Sequence, residues 1–143
     1  MCSSDLRELI AYRQRRDGVL DHSQLSLMEL LRQCAIEWHG VEPFKPDWGP
    51  DSHSLALSYT SADHCFRLHL LVNAWWQPLR FALPPTGLAD GRWHRWIDTA
   101  LQSPEDIVDW EAAPPLTEPS YGVQPRSVVV LLVRAGAASA DRC

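Results

Sequence analysis

The stretch that most constrains this chain is residues 65–83, CFRLHLLVNAWWQPLRFAL. From Phe66 the apolar residues fall at Phe66, Leu68, Leu70 and Val72, with Arg67, His69 and Asn73 between them. A period of two sends alternate side chains to opposite faces of an extended backbone, so the spacing predicts a half-buried strand, with His69 on its outward side. A second run, Leu79, Phe81 and Leu83, alternates with Arg80 and Ala82. The connection between the runs, Ala74-Trp75-Trp76-Gln77-Pro78, is short enough for a hairpin, which predicts that the two strands pair in an antiparallel sheet. The stretch carries no chemistry by itself, because it holds no carboxylate pair, no nucleophile beside a base and no cluster of metal ligands.

The flanking sequence extends the same architecture. Residues 3–16, SSDLRELIAYRQRR, offer Ser4 or Asp5 as an N-cap and place Leu6, Leu9 and Ile10 on one helical face. So short a helix is marginal in water, and it is expected to dock on the sheet. Leu27, Leu30, Leu31 and Cys34 predict a second short helix running into a strand that starts at Ala35. The Pro- and Gly-rich segment from His39 to His53 reads as a loop with Trp48 anchored in it, and Ser54 to Tyr59 as a strand. Another strand is expected over residues 92–98, with Trp93 and Ile97 in register. Residues 99–119 read as a long proline-stiffened surface connection, and SVVVLLVR as a strand covered on both faces. The fold class that follows is mainly β, an antiparallel Greek-key β-sandwich of about seven or eight strands with one or two short N-terminal α-helices. Its segments are residues 1–34, an N-terminal helical segment, residues 35–134, the sandwich, and residues 135–143, a disordered tail.

Charge and composition narrow the function classes. A net charge of −5 without a clustered basic face argues against nucleic acid as a partner. No basic segment followed by an apolar core opens the chain, and no apolar run reaches the ~18–20 residues of a membrane span, so no membrane partner is expected. Cys2, Cys34, Cys65 and Cys143 are far apart and lack zinc-ligand spacing, so they read as reduced thiols of a cytoplasmic protein. The six histidines show no H-x-x-x-H spacing. A cross-strand site of His69, His94 and Asp98 is outweighed by the commoner surface histidine, and no metal, cofactor or catalytic residue is assigned.

The seven tryptophans divide. Trp93 and Trp38 are assigned to packing. Trp75 and Trp76 are adjacent at a strand end and point to opposite faces of an extended backbone, so one is buried while the other stays partly exposed. Exposed indoles stack on sugar rings or seal an interface with another chain, and packing is the commoner role.

The blocks WHGVEPFKPDWGPDSHSLAL, LHLLVNAWWQPLRFALPP, GRWHRWIDTALQSPEDIV and YGVQPRSVVVLLVR occur in this order over about Trp38 to Arg134. Together they resemble the C-terminal β-sandwich domain of bacterial glycogen-operon debranching enzymes and isoamylases, members of the α-amylase clan. Asn73, Trp76, Phe81, Trp93, Asp98, Thr99, Tyr121, Arg126 and Ser127 match the family pattern residue by residue. The family's catalytic Asp, Glu and second Asp lie on a (β/α)8 barrel of ~250 residues, for which this chain has no room, and no carboxylate here matches them. DLRELIAYRQRR is similar to the last barrel helix of the family. The resemblance therefore implies a non-catalytic accessory module of glycogen or α-glucan metabolism. It would act by weak glucan contact at Trp75, Trp76 and Trp48, or by docking to a catalytic partner protein. The alternative is a protein-interaction or self-association module, such as a homodimer, with no carbohydrate binding.

Overall fold

Each predicted period-two run becomes a strand. The computed structural model describes residues 6–14, 35–61, 65–88 and 91–134; the second predicted helix and the predicted tail lie outside the described residues. The strands are β1 (Ala35–His39), β2 (Ser54–Thr60), β3 (Phe66–Asn73), β4 (Leu79–Ala82), β5 (His94–Asp98), β6 (Ser120–Val123) and β7 (Ser127–Arg134). They form a five-stranded sheet in the order β1-β2-β3-β7-β5 and a two-stranded sheet, β4-β6. All pairings are antiparallel. From β3 onward successive strands alternate between the two sheets. The protein is thus mainly β, with two antiparallel sheets and a short helix, α1, over residues 6–14.

The predicted hairpin between β3 and β4 does not form. β3 pairs with β2 and β7, whereas β4 pairs with β6 in the other sheet, so residues 74–78 are an arch between sheets. The cause is Asn73, which is buried at the end of β3. Its Nδ2 donates to the carbonyls of Gln77, Val123 and Gln124 at 2.9, 3.1 and 3.0 Å, and its Oδ1 accepts the Trp75 N–H at 2.9 Å. These bonds turn the chain out of its own sheet, and the Arg126 N–H closes the arch by donating to the Trp75 carbonyl at 3.1 Å. Connection length alone does not separate a hairpin from an arch.

The face of β3 that meets the second sheet is the polar row. Arg67, His69, Leu71 and Asn73 are buried, while Phe66, Leu68, Leu70 and Val72 are half-buried on the opposite face. The expectation that His69 points outward is therefore corrected. Residues directly opposite one another in an antiparallel pair share a face. The register His69↔Leu131 and Leu71↔Val129 accordingly sets β3's polar row beside the apolar inner row of β7. The inner core is Ala56, Leu71, Trp93, Val129, Leu131 and Val133 from the large sheet and its flank, packed on Phe81 and Val123 of the small sheet. A second core lies on the outer face, where Trp96, Ala113 and Leu132 meet Leu68, Val108, Trp110 and the Leu9 and Tyr12 side chains of α1.

The helix does dock on the sheet, as its amphipathic pattern requires, but on a rotated face. Tyr12 sits 4.8 Å from the Trp96 ring and 4.9 Å from Trp110, and Leu6 and Ile10 stay exposed. The larger aromatic contact decides the orientation. β7, with buried residues on both faces, matches its unbroken Val/Leu run. A bulge in β5 between Arg95 and Ile97 breaks the expected register, putting Trp93 in the inner core and Ile97 in the outer one. Residues 99–119 run back along β5 instead of spanning open surface. Val108 donates to the Trp96 carbonyl, Arg95 to Pro114 and Leu116 to Trp93, at 3.1, 2.9 and 2.7 Å. That covers one edge of the large sheet.

Replacing Asn73 tests the arch directly. Asn73→Ala removes a buried carboxamide and leaves its carbonyl partners unsatisfied, and should cost about 2–4 kcal/mol in urea denaturation. Asn73→Asp sets a carboxylate against three carbonyl oxygens and should cost at least as much.

Candidate functional site

The exposed indoles form two pairs, both carried by segments that leave the His39, Ser54 and Asn73 ends of β1, β2 and β3. The first is built on the arch. Trp75 is half-buried, with its ring edge-on to His53 at 4.4 Å, and Trp76 leans on it at 4.7 Å. The Ala74 N–H donates to the His53 carbonyl at 2.8 Å, which ties the arch to the start of β2. Trp75 is thereby the seat and Trp76, 66% exposed, the free ring. The expectation of opposite faces with one indole buried is corrected: off the strand, on the arch, the two rings lie against each other, Trp75 half-buried and Trp76 open.

The second pair is built on residues 40–53. Asp47 Oδ1 accepts the Gly49 N–H at 2.9 Å, an Asx turn with Trp48 at its tip. Tight folding of this loop requires glycine at position 40, where a Cβ would clash with the Lys45 carbonyl oxygen. Trp48 is 64% exposed and meets the ring of Trp38 at 5.4 Å, edge to face. The assignment of Trp38 to packing is corrected: on edge strand β1 it is 45% exposed, beside an exposed Ile36. The structure thus joins Trp75 to Trp76, and gives Trp48 a partner, Trp38, that periodicity did not single out. Trp93 is core, with its Nε1–H donating to the Pro84 carbonyl at 2.9 Å.

Behind these surfaces part of the inner face of the sheet, on β1, β2 and β3, is polar. His39 and His69, both buried, bracket Ser58, with His39 Nε2 and His69 Nδ1 each 2.9 Å from Ser58 Oγ. Burial pushes His69 down to about 3, with the neighbouring charges of His39 and Arg67 acting in the same direction. A hydroxyl between two imidazoles is a nucleophile's arrangement, yet all three groups are sealed from solvent and cannot meet a substrate. Arg67 reaches Glu37 and the Pro85 and Thr86 carbonyls. Nor do His69 and His94 converge with Asp98. The register puts His69 opposite Leu131 and His94 opposite Leu132, on different faces. Among the described residues no three His, Cys, Asp or Glu side chains form a metal-binding group. Cys65 is disulfide-bonded, which corrects the reading of it as a reduced thiol; its partner lies outside the described residues.

The residues that carried the resemblance are joints of the fold. Tyr121 OH donates to Asp98 Oδ2 at 2.7 Å, linking the small sheet to the large one. Burial, and then the Asp98 carboxylate, raise the Tyr121 pKa and keep the phenol protonated. Thr99 Oγ1 accepts the Val128 N–H, Ser127 Oγ donates to Gln124, and Arg126 has a left-handed φ of 53° in the turn before β7. Phe81 is fully buried. Trp76 stands apart from these as a large apolar side chain presented to solvent.

No described helix is long and apolar enough to cross a membrane. Comparison with curated proteins returns no match. The family model described as Isoamylase 1-3, C-terminal, matches residues 37–129, from β1 into β7, and so takes in both indole pairs, the Asn73 arch and the Asp98–Tyr121 link. The match covers most of the chain, and the chain belongs to the isoamylase C-terminal domain family.

Proposed function

We propose that this domain is a non-catalytic accessory module of glycogen and α-glucan metabolism that holds α-glucan chains weakly against its exposed indoles. The observation that carries the reading is Trp76, an indole 66% exposed on a hydrogen-bonded arch, in a domain related to glycogen debranching enzymes. A flat apolar ring on a rigid seat suits the apolar face of a glucose ring, because little conformational entropy is lost on contact. Trp75 positions Trp76, and Trp48 with Trp38 supplies a second platform for a longer chain. The buried Ser58 relay offers no route for catalysis, and the reading assigns hydrolysis to a barrel-bearing catalytic partner. A cytoplasmic setting belongs to this reading. The Cys65 disulfide weighs against that part, since stable disulfides belong to oxidising compartments.

A second reading, docking to a catalytic partner or to a second copy of this chain, is favoured by a separate observation. Leu6 and Ile10 on α1, and Ile36 on edge strand β1, are all exposed. Leu6 and Ile10, one helical turn apart on α1, leave apolar surface that a partner would cover.

Calorimetric titration with maltooligosaccharides and co-sedimentation with glycogen separate the two readings. The glucan reading expects millimolar binding, weakened about ten-fold by Trp76→Ala, at a folding stability changed by less than about 0.5 kcal/mol. Absence of binding in both assays removes it. A light-scattering mass above that of one chain, returned to the monomer by Leu6→Glu with Ile10→Glu, supports self-association.

A further inference from the structure

The protonation pattern of the buried histidine relay is fixed by one donor whose direction is not in question. The Phe44 backbone N–H donates to His39 Nδ1 at 2.8 Å, so that nitrogen carries a lone pair and the neutral ring has its hydrogen on Nε2. His39 Nε2–H then donates to Ser58 Oγ, and the Ser58 hydroxyl is free to donate only to His69 Nδ1. Three bonds therefore run in one direction across β1, β2 and β3, and both imidazoles must be neutral. Phe44 is also a non-glycine residue at φ 60°, a left-handed conformation that carries a steric cost. It is held there by the turn in which the Lys45 N–H donates to the Glu42 carbonyl at 3.4 Å, by the bond to His39, and by the edge-on contact of its own ring with the His39 imidazole at 4.8 Å.

We infer that His39 is a proton-operated latch on the loop of residues 40–53, and that a proton taken up at Nδ1 ejects the Phe44 N–H and frees the segment that carries Trp48. Protonation places two N–H groups head to head, and the strained Phe44 backbone then relaxes. The charged groups facing His39 are Glu37 on its own strand and Arg67 and His69 on β3, while β2 presents only the Ser58 hydroxyl. Within the loop, Glu42 and Lys45 pair with each other at the surface. Burial lowers the His39 pKa; Glu37 opposes this and Arg67 reinforces it. A depressed histidine favours the closed state fully above its unfolded value of 6.5, and the contribution is lost as the pH falls below that value. His69, pushed to about 3, stays neutral while the latch opens. The device does not depend on whether Trp48 meets glucan.

Amide spectra of the intact chain from about pH 7.5 to about pH 4 test it. The Phe44 amide should titrate with a midpoint below about 6.5 while the Leu71 and Val129 amides stay fixed. Its hydrogen exchange, corrected for intrinsic pH dependence, should become roughly three- to ten-fold faster. His39→Asn keeps an acceptor near the Nδ1 position and should abolish the titration. A Phe44 amide that moves only together with the core amides overturns the inference, as does an unchanged titration in His39→Asn. Should that variant fail to fold, long-range imidazole spectra of the unmodified chain decide. A hydrogen on Nε2 and none on Nδ1 of His39 at neutral pH is required, and the opposite tautomer overturns the latch.

Discussion

The Asn73 carboxamide ties the two sheets together where the chain crosses from one to the other. Its amino group is shared among carbonyls of the arch and of the β6–β7 turn, and its oxygen holds the Trp75 N–H. A buried amide can occupy this place only with every group paired, since an unpaired one costs on the order of 1–3 kcal/mol. That requirement fixes where β3 ends, sends the chain to the second sheet and sets the backbone from which Trp76 projects. The same side chain thus determines topology and the presentation of the exposed indole.

The inner row of β3 extends the constraint. Arg67, His69 and Asn73 occupy positions that an ordinary sandwich fills with aliphatic side chains. They are accommodated because their partners come from the neighbouring strands and loops: Glu37 and His39 on β1, Ser58 on β2, and carbonyls of residues 85 and 86. Arg67 Nε alone in this row stays buried without a partner among the described residues. The apolar content displaced from this row appears on β7 and on the outer face, where α1 and the returning segment before β6 cover it.

Much of this was legible in the residues. Alternation located β2, β3, β4 and β5, and the uninterrupted Val/Leu run located β7 and correctly signalled burial on both its faces. Which face of β3 turned inward was not legible, because a half-polar strand looks the same whether its polar row meets water or a matched set of buried partners. The hairpin reading failed for a related reason. The five residues between β3 and β4 suit either connection, and the choice is made by Val123 and Gln124, fifty residues further on. The β5 bulge left no local signal such as glycine. At the surface, adjacency identified Trp75 and Trp76, and a Pro/Gly-rich loop identified Trp48. Trp38 was missed because edge position, not periodicity, exposes it.

The family relationship and the exposed indoles meet in a single claim, that the arch end of the sandwich is a surface for α-glucan. The most direct measurement is a map of indole N–H signals in the presence of maltoheptaose, with all seven tryptophans resolved. The account predicts saturable shifts at Trp76, with smaller ones at Trp75 and Trp48, while Trp93 and Trp96 stay unmoved. Signals that do not respond, or shifts confined to the α1 face around Trp110, would contradict it.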